Sequence, residues 1–392
     1  MNELRPIDLV ARAQALAPLI TREADEIERT RRLTQPIVSA LIDGGLYRAL
    51  LPKTLGGAEA PIETFMQMLE EIAKADASTA WCLGQCSVCA MIAAYLDADT
   101  ARKVFAAPND ILAWGSVGGE VQAVPGGYRA TGRWEFASGV RQASWLGAHV
   151  HIVEADGTRR LGTNGAPVVR TILFPVSSAA LHDVWNVVGL KGTGTDSYSV
   201  DGLFIPEAFA APRDEAPGRR ETGPLYRLPT MYAYGLGFGA VALGVARATL
   251  DAAVALARGK QSFGLNPMRD STAVQASIGR AEAQLRSARA YLYATAADVW
   301  RDLTDRSDEL SEQQRLALRL AATWTIHQAT AVTDAAYHMA GSTAVLSKYP
   351  FERRFRDMHA IAQQLQARDA HYETVGLAIL TAKPDASAPP GA

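Results

Sequence analysis

The chain has 392 residues, 48% of them hydrophobic, with 39 Lys plus Arg against 41 Asp plus Glu. That length supports a large core and two or three structural units. The net charge of -2 gives no electrostatic reason for a nucleic-acid partner, whose phosphates reward basic surfaces.

The opening residues, MNELRPIDLVARAQ, carry charge throughout. They lack the basic segment and apolar run of a secretory signal, so a cytoplasmic protein is expected. Residues 1–109 read as an α-helical domain. In residues 20–42 the apolar positions Ile27, Leu33, Ile37, Leu41 and Ile42 follow helical steps, Pro36 splits the stretch, and Gly44-Gly45 ends it. The segment LPKTLGGAEAPIETF is a loop in which Pro61 opens a helix over 62–74, broken at Asp76, with Ser78 expected to cap the next one. Cys82, Cys86 and Cys89 fall on one face of that helix. No fourth cysteine exists for a cluster, so buried reduced thiols are expected and no metal.

From residue 110 the apolar period changes to two, with Gly, Pro and Asn punctuation, and residues 110–215 read as a compact β domain, a barrel or sandwich. His149 and His151 share one strand face, too few ligands for a metal. EAPGRRETGP is a linker, and residues 225–383 read as an antiparallel four-helix bundle with helices over 230–258, 274–302, 316–347 and 351–381. The run 232–257 is apolar but interrupted by Arg247 and Asp251, which suits a buried bundle helix better than a membrane span. Gly235, Gly237 and Gly239 in it are read as close-packing positions, and Ser311 with Gln314 forms a capping box. The tail 384–392 has too few apolar residues to order itself.

Several ordered motifs resemble those of the acyl-CoA dehydrogenase superfamily. LPKTLGGAEAP followed by EEIAKADASTAW resembles its P-x-x-x-G-G and E-E-(I/L)-A-x-x-D-x-S; GLKGTGTDSYSVDGLFIPEA resembles its G-(L/M)-(R/K)-G-(T/S)-G-(T/S) loop; GKQSFG resembles R-x-x-F-G. The resemblance implies an α+β, mainly α, fold with a flavin between the β domain and the bundle, in a homotetramer. It places the isoalloxazine against Trp114, Ser116, Trp134, Phe136, Ser138 and Gly139. Lys260 and Phe263, with Gly341 and Ser342 of the HMAGS segment, would approach the phosphate end from another subunit. Lys260 stands where the family has Arg, so a two-pronged phosphate clamp becomes a point charge. Trp134 and Phe136 could also simply face a core, as period-two aromatics usually do.

A dehydrogenase of this family needs a carboxylate to take the α-proton of an acyl thioester. Counting from Arg356-Asp357 puts Leu365 there, and the family's other base position falls near Tyr234; neither can serve. GRWEFASG instead resembles a second branch of the superfamily, which uses separately reduced flavin and O2 to hydroxylate small molecules. Its chemistry runs through a C4a-hydroperoxide, which survives only where flavin N5 is held and water excluded. The resemblance then implies an oxygenase component that receives reduced FMN or FAD from an NAD(P)H-dependent reductase and hydroxylates a small aromatic or heteroaromatic substrate. Ser138 would hydrogen-bond near N5, and Gln364 stands where this branch often has His. His371, seven residues on, would share that face of a continuous helix, whereas His359 points elsewhere. Two alternatives stay open: a dehydrogenase with an unconventional base, and a non-catalytic scaffold on the same fold.

Overall fold

The computed structural model describes residues 6–116, 118–261, 266–306 and 309–382. Helices α1 (Pro6–Thr30) and α2 (Gln35–Asp43) are separated at Arg31, whose φ of 56° turns the chain; Pro36 then sits in the first turn of α2. Gly45 follows in the left-handed region at φ 69°. Pro61 lies just ahead of α3 (Ile62–Ala75), and α4 (Ala77–Ala90) and α5 (Ala98–Phe105) complete the helical N-terminal part. The cap of α4 is Asp76, which is extended and accepts from the Thr79 amide at 2.7 Å. Ser78, expected there, is already inside the helix, because a cap needs the extended backbone that Asp76 supplies. Cys82, Cys86 and Cys89 are buried free thiols. Burial pushes Cys82 and Cys89 up to about 12, which keeps them unreactive.

The β region comprises β1 (Leu112–Trp114), β2 (Gly119–Val124), β3 (Gly127–Ala137), β4 (Trp145–Val153), β5 (Val169–Pro175), β6 (Ala180–His182), β7 (Asp196–Pro206) and β8 (Ala210–Ala211). They form one sheet in the order β6-β7-β3-β2-β4-β5-β8, and β1 pairs with β4 in line with β2. The sheet curls on itself: Phe174 of β5 meets Tyr198 of β7 edge to face at 6.2 Å, and the Tyr198 hydroxyl donates to the Gly147 carbonyl of β4. His149 is spent within this interior, its Nδ1 2.9 Å from Thr171 Oγ1.

The C-terminal part comprises α6 (Thr230–Gly259), α7 (Thr272–Arg306), α8 (Glu312–Ala340), α9 (Phe351–Ile361) and α10 (Ala370–Thr381). Helix α7 buries Ala281, Leu285, Ala288, Leu292, Ala296 and Val299, the stripe its spacing predicts. Ser311 and Gln314 cap α8 reciprocally. Helix α6 packs against α3: a Cβ at Gly237 would lie 2.9 Å from the Phe65 ring and one at Gly244 2.4 Å from the Glu70 carbonyl oxygen, so glycine lets α3 lie directly on it. Helix α8 stops at Ala340, where Gly341 turns at φ 59°, earlier than the expected end at 347.

The fourth bundle element differs from the expected single helix over 351–381. It breaks after Ile361, Gln364 is extended (φ -88, ψ 171), a short turn spans Leu365–Ala367, and α10 starts at Ala370. Side chains of α8 make the break possible by taking up freed carbonyls: Thr323 Oγ1 donates to Gln366 at 2.8 Å and His327 Nε2 to Ala367 at 2.8 Å.

Candidate functional site

Strand β3 delivers Ser138 to a buried position beside α4. Gly139 behind it takes φ 81°, and a Cβ there would fall 2.5 Å from Cys86 Sγ, so only glycine lets the chain turn this close to α4. Ser138 is 5% exposed. Trp81 Nε1 donates to its Oγ at 3.0 Å, and that oxygen lies 2.7 Å from Thr195 Oγ1. Thr195 Oγ1 is 2.7 Å from Thr193 Oγ1, which donates to the Leu190 carbonyl at 2.8 Å. The Trp81 ring is stacked on Phe238 at 3.7 Å, and Phe238 on Tyr234 at 5.5 Å. Tyr234 itself accepts from Gln85 Nε2 at 3.0 Å and is half-buried.

The loop carrying Leu190 is docked on α9. The Leu190 amide donates to Asp357 Oδ1 at 2.6 Å, Arg356 donates to the Val188 carbonyl at 2.6 Å, and Leu190 itself is held at φ 52°. Burial, with Asp76 adding like charge, raises Asp357 to about 7. The Arg-Asp pair is therefore a structural fastening between bundle and sheet.

Phe136 also has a left-handed backbone, φ 58°, and its ring is 64% exposed, edge-on to Trp185 at 6.4 Å. Val184 and Val188 are exposed as well. Ser116 is exposed, its amide donating to the Glu135 carbonyl at 2.7 Å. Trp114 and Trp134 are placed differently from the expected cofactor walls. Trp134 is 1% exposed and stacked on Tyr198 at 5.7 Å; Trp114 is 3% exposed, against His149 at 5.0 Å and the Arg213 guanidinium at 5.4 Å. Both indoles point to the inner face of the curled sheet, as period-two aromatics do. The exposed ring is that of Phe136, two residues on, where the irregularity of β3 between Trp134 and Ala137 reverses the alternation.

Lys260 ends α6 and reaches the segment after α8: Nζ donates to the Ala340 carbonyl and to Thr343 Oγ1, both at 2.8 Å. Gly341 lies beside it, Ser342 next to that and exposed. Phe263 lies outside the described residues.

The break between α9 and α10 borders a pocket of about 170 Å³ lined by Met231, Tyr232, Gly235, Leu318, Arg319, Ala322, Leu365, Gln366 and His371. Among the described residues no carboxylate lines it, and Leu365, at the family's base position, is one of its walls. Asp369, further along, has its side chain 87% exposed, and Glu373 is exposed. His371 reaches the pocket although α10 is a separate helix, so its place comes from the break and not from a shared helical face. Its Nδ1 is 2.8 Å from Thr323 Oγ1. Because the Thr323 proton goes to the Gln366 carbonyl, Thr323 accepts from Nδ1-H, and neutral His371 keeps its lone pair on Nε2. Burial first and Arg319 next hold His371 below the ordinary imidazole range. Gln364 Nε2 is buried without a partner. His359 is occupied elsewhere, 2.9 Å from Asp334.

A flavin suits two of these groups: a buried hydroxyl with a lone pair to spare and an exposed aromatic ring on a strained backbone. Trp81, Thr193, Thr195 and Thr323 were not singled out from sequence; the GTGT segment entered only as part of a family loop motif, with no role for its threonines.

The family model for the N-terminal domain of acyl-CoA dehydrogenases matches residues 11–106, and that for the C-terminal domain matches 236–368. Together they take in more than half of the chain. The chain belongs to the acyl-CoA dehydrogenase superfamily. Within it the curated relatives are oxygenases. An indole-3-acetate monooxygenase of Pseudomonas putida is 29% identical over 90% of this chain and 88% of its own length. The flavin-dependent monooxygenase oxygenase subunit HsaA of Rhodococcus jostii is 29% identical over 89% and 92%. The crystal structure of 3-HSA hydroxylase from Rhodococcus sp. RHA1 superposes with a TM-score of 0.87 at 26% identity, covering 96% of this chain and 98% of that one. This acyl-CoA dehydrogenase-like chain is a flavin-dependent monooxygenase.

Proposed function

We propose that this oxygenase takes reduced FMN or FAD from a separate reductase and hydroxylates a small, electron-rich aromatic or heteroaromatic compound. The observation that carries the reading is Leu365: an apolar side chain walls the pocket where α-proton abstraction would need a carboxylate. Relatives named for indole-3-acetate and resorcinol support an aromatic substrate.

Bound reduced flavin supplies the activation of O2. The chain's own residues do the rest. Ser138 offers an oxygen lone pair to an N-H of the cofactor, and Phe136 with Trp185, Val184 and Val188 presents apolar surface that keeps water from it. Lys260 would hold a cofactor phosphate with its spare third N-H, Gly341 and Ser342 lying beside it. Gln364 Nε2 gains the partner it lacks from a substrate oxygen. His371, held neutral, accepts at Nε2 the proton of a substrate O-H or N-H and so raises the electron density of the ring to be oxygenated. The family's tetramer is part of this proposal, and exposed Leu377, Ile379 and Leu380 on α10 are surface that such an assembly would cover.

The test is to mix protein and photoreduced FMN or FAD with oxygenated buffer containing indoles or phenols, measuring hydroxylated product and H2O2. Product should form with less H2O2 than flavin oxidised, and Ser138→Ala should shift the balance to H2O2 by about tenfold, the scale of one buried hydrogen bond. Stoichiometric H2O2 with every aromatic offered overturns the reading.

A further inference from the structure

Each hydroxyl owns a single proton, and this fixes the direction of the chain of bonds around Ser138. Thr193 spends its proton on the Leu190 carbonyl, 2.8 Å away, an acceptor that can give nothing back. At 2.7 Å from Thr193, Thr195 must therefore donate to it, and Ser138, 2.7 Å from Thr195, must donate to Thr195. Trp81 Nε1, which can only donate, takes one of the two Ser138 lone pairs at 3.0 Å. Ser138 is left with one lone pair and no proton to offer. All four side chains are buried or nearly so, with Ser138 and Thr195 5% exposed and Thr193 1%, so water does not compete freely for these protons.

Flavin N5 carries a hydrogen when reduced and a lone pair when oxidised. We infer that Trp81, Thr195 and Thr193 are positioning residues that hold Ser138 as an obligate acceptor toward N5, so that the pocket favours reduced over oxidised flavin. The inference rests on the proposed placing of Ser138 at the flavin. The far end of the chain is itself fixed, because Leu190, whose carbonyl terminates it, is clamped through its amide by Asp357 of α9. In an oxygenase that does not reduce its own flavin this polarity has a use: spent oxidised flavin meets a lone pair facing a lone pair and leaves.

The experiment compares Thr195→Val with wild type, a near-isosteric change that frees the Ser138 proton to turn toward the ligand. Dissociation constants for oxidised FMN or FAD, by fluorescence quenching, and for the photoreduced form, by anaerobic dialysis, give a reduced-over-oxidised preference. The midpoint potential of bound flavin reads the same quantity independently of turnover. The preference should fall by about tenfold, which for a two-electron couple is a shift of about 30 mV toward lower potential. Thr195→Ser should restore it, because a hydroxyl returns to the same place. Should Thr195→Val fail to fold, Thr193→Val breaks the same chain one link further on and should move the preference in the same direction by less. A preference unchanged in a variant that still binds flavin overturns the inference and leaves the oxygenase reading intact. Wild-type protein with no affinity for flavin in either state overturns both.

Discussion

Around Ser138 the hydroxyls have partners and directions, whereas around Gln364 the backbone leaves its helix and a buried amide nitrogen has no partner. The first region joins sheet and N-terminal helices through short, directional bonds; the second borders an apolar pocket between α6, α8 and a loop, with Tyr232, Arg319 and His371 the ionisable groups among its described lining. The difference teaches which part of the chemistry is fixed. A cofactor atom that must be met in one protonation state calls for a prearranged partner. A substrate ring is met by apolar walls and by unsatisfied donors that the ligand completes.

The contrast can be broken most severely at Gly189. A Cβ there would lie 2.0 Å from the Arg356 carbonyl oxygen, so Gly189→Ala should lift the Leu190 loop from α9 and cost about 3 kcal/mol or more. Chemical denaturation reads the loss, and reduced-flavin affinity should fall with it. On the other side, His371→Gln keeps a polar group but no base. Wild-type kcat/KM should fall as pH drops below His371's depressed pKa, because Nε2 must be free; the variant should be several-fold slower and lose that limb of the pH profile.

Asp357→Asn separates fastening from charge. Its carboxyl, raised to about 7, favours the protonated form in the folded protein, so its contribution to stability is complete below the ordinary carboxylate range near 4 and is lost as pH rises through 7. Buried Asp76, raised in the same direction, and Glu28 face it, with Arg353 opposing. Asparagine retains an acceptor for the Leu190 amide, so thermal unfolding between pH 5 and pH 8 should show a flatter profile than wild type. The smallest effect serves as a control: Ser311→Ala removes the α8 cap, which belongs to neither region, and should cost about 1 kcal/mol without altering flavin preference.

Much of the fold was legible in local pattern. The stripe of α7, the Ser311-Gln314 box, the change to a period of two after residue 110 and the glycines of α6 are short-range statements, and each holds in the structure. Ser138 was reached through the family resemblance of the short segment GRWEFASG, and its turn before Gly139 at φ 81° is local to that segment. Three features were not. The exchange of Trp134 for Phe136 at the surface depends on the β3 irregularity, which sequence alternation cannot register. The break at 362–369 depends on Thr323 and His327, more than thirty residues away, accepting the task of its freed carbonyls. The polarity of Ser138 depends on Trp81 and on Thr193 and Thr195, brought from a helix and a distant loop.

The sequence by itself thus determined the order of helical and sheet regions, which follows from residue type and spacing, while the missing carboxylate at Leu365 followed from the family resemblance. Only the tertiary structure decided which proton points where and which histidine reaches the pocket, because a hydrogen bond's direction is settled by partners that chain folding, and not chain order, brings within 3 Å.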